Sequence, residues 1–153
     1  MFNGKFSKDD EYYTPKEAWK NIAHLIPKVT IWEAFYGNGK SGEFLRELGF
    51  EVIHERLDFF ENNLGDIVVS NPPFSLKKEI ITRLIKLGKP FILLMPSCTL
   101  NTQYIKLVPG LQVIVPRRRI QFIKDGKQTS RCNFESLYFC YKMNLGRDLI
   151  LLD

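Results

Sequence analysis

No run in this chain of 153 residues approaches the roughly 18 consecutive apolar residues needed to cross a bilayer. Residues 1–11 (MFNGKFSKDDE) are polar and charged, unlike a secretory leader. Cysteine is scarce and odd in number: Cys98, Cys132 and Cys140 lack the spacing of a metal site or a paired framework. Reduced thiols in a cytosol-like compartment are therefore expected. The two histidines, His24 and His54, stand apart, so no metal site is expected. No internal repeat or low-complexity tract is present. These absences point to a soluble, cytoplasmic protein, and the length predicts one domain over residues 1–153.

What is present is an ordinary globular composition with a basic balance. The hydrophobic fraction is 44% and the charged fraction 25%, and the formal net charge of +5 favours an acidic partner such as nucleic acid. Thr14-Pro15-Lys16-Glu17 has the form of a capping box, and Ala18, Trp19, Ile22, Ala23 and Ile26 follow at helical spacing, predicting a helix to about Pro27. Strands are predicted over 29–36, 51–54, 66–70 and 91–95, with helices over 41–48 and 75–87 closed by Gly49 and Gly88. Residues 111–115 and 120–123 read as β, followed by a turn at 124–127 and a final strand over 137–141. Leu149 to Leu152 fits either a packing strand or a partner contact. Alternating strands and helices followed by a hairpin predict a three-layer α/β domain, mostly parallel with an antiparallel edge. Trp19 and Trp32 fall within apolar patterns and are predicted core residues, whereas Lys77, Lys78, Arg83, Lys86 and Lys89 read as the solvated side of a helix.

Two segments carry chemistry. Asn71-Pro72-Pro73-Phe74 follows an apolar strand and precedes Ser75, a predicted helix cap. Two prolines remove two backbone donors and hold the chain extended, presenting an amide, free carbonyls and an exposed ring. Such a segment accepts hydrogen bonds from a planar amine while the ring stacks on its π-face. Glu33-Ala34-Phe35-Tyr36-Gly37-Asn38-Gly39 stands at a strand-to-helix junction, where glycines permit a sharp turn and close approach of a ligand. Glu55, at the end of the next strand, occupies the place of a ribose-binding acid. Gly37, Gly39 and Gly42 match the dinucleotide spacing, yet the carboxylate of Glu33 disfavours a pyrophosphate and favours the ammonium of S-adenosylmethionine.

Together these segments resemble class I S-adenosylmethionine-dependent amino-methyltransferases, and in particular the small phage and viral DNA adenine-N6 enzymes. Glu33 to Gly39 is similar to motif I of that family, and Asn71 to Phe74 to motif IV. Tyr12-Tyr13-Thr14-Pro15 resembles the segment that touches the methionine end of the cofactor, and Asp58-Phe59-Phe60 the one that contacts its adenine. Residues 116–141 resemble the terminal hairpin. Only four residues separate Ile53 from Asp58, so the usual helix and strand between the ribose and adenine contacts are shortened or missing, and Glu55 or Asp58 is left to serve both contacts.

The resemblance implies a Rossmann-like methyltransferase fold, with S-adenosyl-L-methionine held by Tyr13, Thr14, Glu33, Phe35, Gly37, Gly39, Glu55, Asp58, Phe59 and Asn71. It implies that Asn71, Pro72, Pro73 and Phe74 are catalytic, the Asn71 oxygen and the Pro72 carbonyl accepting from the adenine N6 hydrogens and Phe74 stacking on a base withdrawn from the duplex. Phe134 is the candidate for the opposite wall. Arg117-Arg118-Arg119, the densest basic cluster, is read as a phosphate contact, with a solvated loop or charged edge as its plain alternative. No segment is long enough for a separate target-recognition domain, so a homodimer or a partner subunit is open, and a viral source would place the chain in the host cytoplasm or nucleus. The same tetrapeptide also fits RNA adenine-N6 or guanine-N2 and protein glutamine-N5 enzymes, and a weakly active or inactive nucleic-acid-binding subunit.

Overall fold

In the computed structural model, which describes residues 12–124, 127–128 and 135–153, short helices flank both faces of one central sheet. The chain runs through α1 (Lys16–Lys20), β1 (Ile31–Trp32), α2 (Lys40–Glu47), β2 (Val52–Ile53), β3 (Ile67–Ser70), α3 (Lys77–Leu87) and β4 (Phe91–Pro96). It continues through β5 (Gln112–Val115), β6 (Ile123–Lys124), β7 (Lys127–Gln128), β8 (Ser136–Tyr141) and β9 (Leu149–Leu151). The seven-stranded sheet has the order β2-β1-β3-β4-β8-β5-β9, and β6 and β7 form a separate antiparallel ribbon. All pairings in the large sheet are parallel except those of β8, which runs against both β4 and β5. The predicted mixed α/β sheet with an antiparallel C-terminal element is thus present.

The alternation of the sheet strands explains the layers. Ile92 and Leu94 of β4 join the core on the face that carries Ala18, Trp19 and Leu45 of α1 and α2. Phe91, Leu93 and Met95 join the opposite core with Ile80, Ile81 and Leu84 of α3. A strand buried on both faces needs apolar side chains at every position, which is what residues 91–95 supply. Burial of the three α3 side chains contributes roughly 5–9 kcal/mol as an upper figure. Trp19 and Trp32 are core residues, as predicted.

Several local expectations give way. The helix predicted to run to Pro27 stops at Lys20 and is followed by a 3₁₀ turn at Ala23–Leu25. Trp19, Ile22 and Ile26 stay buried although the helix breaks between them, Ile26 lying in extended backbone after the turn. The capping box does not form: Pro15 is the cap, no side chain bonds there, and Thr14 is buried. Ser75 is not a cap either, because a 3₁₀ turn at Phe74–Leu76 precedes α3 and makes Leu76 its first flanking residue. Of the β-like run 120–123, only Ile123 enters a strand, while Ile120 and Phe122 are buried as loop side chains. The tail forms the edge strand β9, with Leu149 paired to Val113 and Leu151 to Val115 and both leucine side chains exposed.

The basic residues around α3 are not all a solvated face. Arg83 donates to the carbonyls of Phe59 at 3.1 Å and Asn62 at 2.9 Å, closing the loop before β3. Lys89, 7% exposed, donates to the Gly65 carbonyl, and desolvation pushes its pKa down against the opposing influence of Asp66. Lys77 donates to Thr99 Oγ1 at 3.2 Å. Each neutralises a carbonyl or hydroxyl that would otherwise be left without a donor.

Candidate functional site

β1 and β3 are neighbours, and the connection leaving β1 turns to β2 on one side while that leaving β3 turns to β4 on the other. In open α/β sheets, ligands take the crevice beyond the carboxyl ends of strands at such a switch point. Glu33 directly follows β1 and Asn71 directly follows β3, which places both at this crevice.

Glu33 is 1% exposed. Its Oε2 accepts from Ser41 Oγ at 2.7 Å, its Oε1 accepts from the Ser70 hydroxyl and, at 3.3 Å, from the Phe35 amide. Trp19 Nε1 donates in turn to Ser41 Oγ at 2.8 Å. One carboxyl group therefore ties α1, α2, β1 and β3 together. Desolvation raises its pKa from 4.5 to about 7, and the hydrogen bonds from Ser70, Ser41 and Phe35 only partly oppose that. A positive group brought near a carboxyl held this way would favour its ionised form.

The segment before α1 forms a strap over the crevice. The Tyr13 amide donates to the Ile123 carbonyl at 2.8 Å and the Ile123 amide returns the bond at 2.8 Å. Asn71 Nδ2 donates to the Tyr12 carbonyl at 3.3 Å. Because a carbonyl can only accept, this contact turns the amide nitrogen of Asn71 towards the strap and leaves Oδ1 aimed elsewhere. Asn71 Oδ1 and Thr14 Oγ1 are both buried atoms without a hydrogen-bond partner among the described residues. Buried acceptors are rarely left so in a finished core, and here two lie on the strap and rim of one crevice.

Gly37 and Gly39 adopt φ of 57° and 83°, so the turn they form needs glycine. The space beside them is filled by the chain itself: a Cβ on Gly37 would meet the Tyr13 ring at 3.4 Å, and one on Gly39 would meet Tyr36 Oη at 3.0 Å. Their predicted role as a cradle for a ligand is therefore limited to the backbone, and the strap is seated on the loop through Tyr13.

The other predicted cofactor residues divide. Glu55 is exposed just past the carboxyl end of β2. Asp58 is half-buried, and its Oδ1 accepts from the Phe60 amide at 2.8 Å, capping the 3₁₀ turn at Phe59–Glu61. No strand or α-helix intervenes between β2 and that turn, as the short spacing predicted. Phe59 is fully buried, stacked on Trp32 at 5.5 Å and tilted against Phe35 at 4.9 Å, so it serves as core; Phe35 and Phe60 are the half-buried rings of this group.

Pro72 and Pro73 are buried and Phe74 is half-buried rather than fully exposed. Arg117, Arg118 and Arg119 are exposed and follow β5. Since β5 runs parallel to β3 and β4, they stand on the same rim as Asn71, three strand spacings or about 14 Å along it. Phe134 lies outside the described residues.

Sequence reasoning missed Ser41, Ser70 and Trp19 as supports of Glu33, and it set His54 aside as isolated. His54 is buried, stacks on Tyr36 at 4.7 Å, and Arg56 lies over the other part of that stack, 4.7 Å from the Tyr36 centroid. Desolvation lowers the His54 pKa, so the ring is neutral near pH 7. No group of three or more His, Cys, Asp and Glu side chains among the described residues is placed to hold a metal ion.

Gly42 makes the His54 stack possible, because a Cβ there would lie 1.8 Å from His54 Nδ1. Alanine ordinarily stabilises a helix interior by about 0.5–1 kcal/mol over glycine, but overpacking of this severity costs about 1–3 kcal/mol or more. Gly42→Ala is expected to lower the urea midpoint of unfolding, and a midpoint equal to or above wild type would show that His54 is free to move. Among the described residues no helix is long and apolar enough to cross a membrane. Comparison of the chain with protein-family models, with curated proteins and with solved structures gives no match.

Proposed function

We propose that the chain is an S-adenosylmethionine-dependent methyltransferase of Rossmann-like fold, acting on the exocyclic N6 amine of adenine in DNA. The observation that carries this reading is the buried Asn71 Oδ1, which has no hydrogen-bond partner among the described residues, at the same strand-end crevice as the Glu33 carboxyl group, which has no ion-pair partner among them. A donor-bearing amine satisfies the first and a cationic ligand the second. The orphaned Thr14 hydroxyl and the exposed Glu55 carboxylate supply further polar contacts for a cofactor with ribose and amino-acid ends. The donor set therefore fits S-adenosylmethionine, which when bound supplies a methyl group activated by its positive sulfur.

In this reading the residues of the chain position rather than attack. An aromatic amine is a poor nucleophile because its lone pair is delocalised into the ring. Asn71 Oδ1 and the Pro72 carbonyl accept its two hydrogens, which favours pyramidal nitrogen and frees the lone pair for the methyl carbon. Methyl transfer from bound S-adenosylmethionine would place positive charge on the nitrogen, and Asn71 Oδ1 and the Pro72 carbonyl would stabilise that charge until one proton passes to solvent. The prolines keep both acceptors in place, since neither can donate a hydrogen bond and both restrict φ.

The decisive experiment is incubation with methyl-labelled S-adenosylmethionine and unmethylated DNA, RNA and protein, followed by mass spectrometry of the released nucleosides. N6-methyladenine from DNA is the expected product. Label in guanine, in RNA or in glutamine would keep the cofactor and change the acceptor, and no label in any acceptor would overturn the enzymatic reading.

A further inference from the structure

A cleft of about 670 Å³ opens on the α1 face of the sheet, between α1 and the loop that follows β5. Pockets for small ligands run from about 300 to 1,000 Å³, so this one has room for a nucleotide. Its lining includes Arg117, Arg118 and Asp153 beyond the paired ends of β5 and β9, Glu17 and Asn21 from α1 and its end, and the apolar side chains of Ile120 and Ile150. Arg117, Arg118 and Glu17 are exposed, and none of the three makes an ion pair or side-chain hydrogen bond among the described residues. Opposite charges facing one cleft pair when they can reach each other. Left apart, they select a ligand that carries an anionic group at one end and hydrogen-bond donors at the other.

A nucleotide whose base bears an exocyclic amine has that polarity, with an apolar ring face between its ends. The cleft also stands on the rim that carries Asn71, with Pro15, next to Thr14 of the strap, in its lining. We propose that it is a subsite for a nucleotide flanking the target in an unpaired strand. The phosphate lies against Arg117 and Arg118, the base lies over Ile120 and Ile150, and its amine meets Glu17 and Asn21. A carboxylate only accepts, so it favours cytosine, adenine and guanine over thymine, whose single ring N–H is flanked by two carbonyls. The subsite supplies a base preference within a compact chain. It rests on the nucleic-acid reading of the rim.

The test uses fluorescently labelled oligo-dC and oligo-dT, which contain no adenine and so bypass the methyl-acceptor position. Wild-type protein is expected to bind oligo-dC several-fold more tightly than oligo-dT. Replacing Arg117 and Arg118 together by Ala is expected to weaken both roughly tenfold and to reduce the log–log salt slope by about 0.7, the value for the one single-strand phosphate they share. Glu17→Ala is expected to abolish the preference while leaving oligo-dT affinity unchanged. An unaltered salt slope in the double variant, or a preserved preference in Glu17→Ala, would overturn the subsite. Methyl transfer to an adenine-containing strand, measured alongside, separates the two readings: the expected binding pattern without transfer removes the enzyme and keeps the cleft, and transfer with an unaltered slope does the reverse.

Discussion

Asn71→Ala is expected to lower the rate of methyl transfer by about 10²–10³-fold, the scale on which loss of one preorganised hydrogen-bonding group at a charge-developing atom acts. That corresponds to roughly 3–4 kcal/mol of transition-state stabilisation. The cofactor dissociation constant should change far less than the rate, because the main group lost is the acceptor for the amine. The cost to the fold is smaller. The substitution removes one hydrogen bond, from Nδ2 to the Tyr12 carbonyl at 3.3 Å, whose net contribution is about 1 kcal/mol. Asn71→Asp provides the control. It keeps acceptor oxygens but sets a carboxylate against the Tyr12 carbonyl, so it is expected to loosen the strap while retaining more transfer than alanine. Single-turnover rates at saturating cofactor measure both variants. Transfer by Asn71→Ala within threefold of wild type would show that the orphaned oxygen serves something other than the reacting amine.

How far the sequence could be read depended on whether a feature is determined locally. The turn at Gly37 and Gly39, the stiff segment at Asn71 and the doubly buried β4 each follow from the conformational limits of their own residues, and each is where the pattern placed it. The supports of Glu33 were not legible, because Ser41 and Ser70 reach it only through the packing of α2 on β1 and the pairing of β1 with β3. Arg83 and Lys89 looked solvent-facing for a similar reason. Their acceptors, the carbonyls of Phe59, Asn62 and Gly65, belong to a loop whose position no helical wheel describes. The resemblance of Asp58-Phe59-Phe60 implies a cofactor contact for Phe59, and only the fold shows that Trp32, Phe35 and Phe60 surround its ring. The end of α1 at Lys20 was not legible either, since the apolar spacing runs on to Ile26 while the backbone passes into a 3₁₀ turn at Ala23–Leu25.

Glu33→Gln is expected to make the protein more stable at pH 8 and less able to bind a cationic ligand. The folded carboxyl titrates at about 7 against 4.5 for an unperturbed one, so the native state binds its proton more tightly than the unfolded state does. Wild-type stability should therefore be greatest at or below pH 4.5 as far as this group is concerned, fall as pH rises towards 7, and be lower by roughly 3 kcal/mol above it. Glutamine is neutral throughout and removes that slope. Its amide replaces one acceptor by a donor, so Ser41 or Ser70 must rotate to accept, which offsets about 1 kcal/mol of the gain. A net increase of roughly 2 kcal/mol at pH 8 remains, with wild type the more stable below pH 5. Ligand binding runs the other way. A cation prefers the ionised carboxyl, so wild-type affinity for S-adenosylmethionine should rise as pH passes upward through 7, with a proton released on binding below it. Glu33→Gln should lose that pH dependence together with about tenfold or more in affinity. Thermal unfolding and calorimetric titration across pH 5 to 9 report both quantities. A variant that melts below wild type at pH 8, or binds the cofactor with unchanged affinity and slope, would show that the buried carboxyl is there to join four elements and not to meet a positive charge.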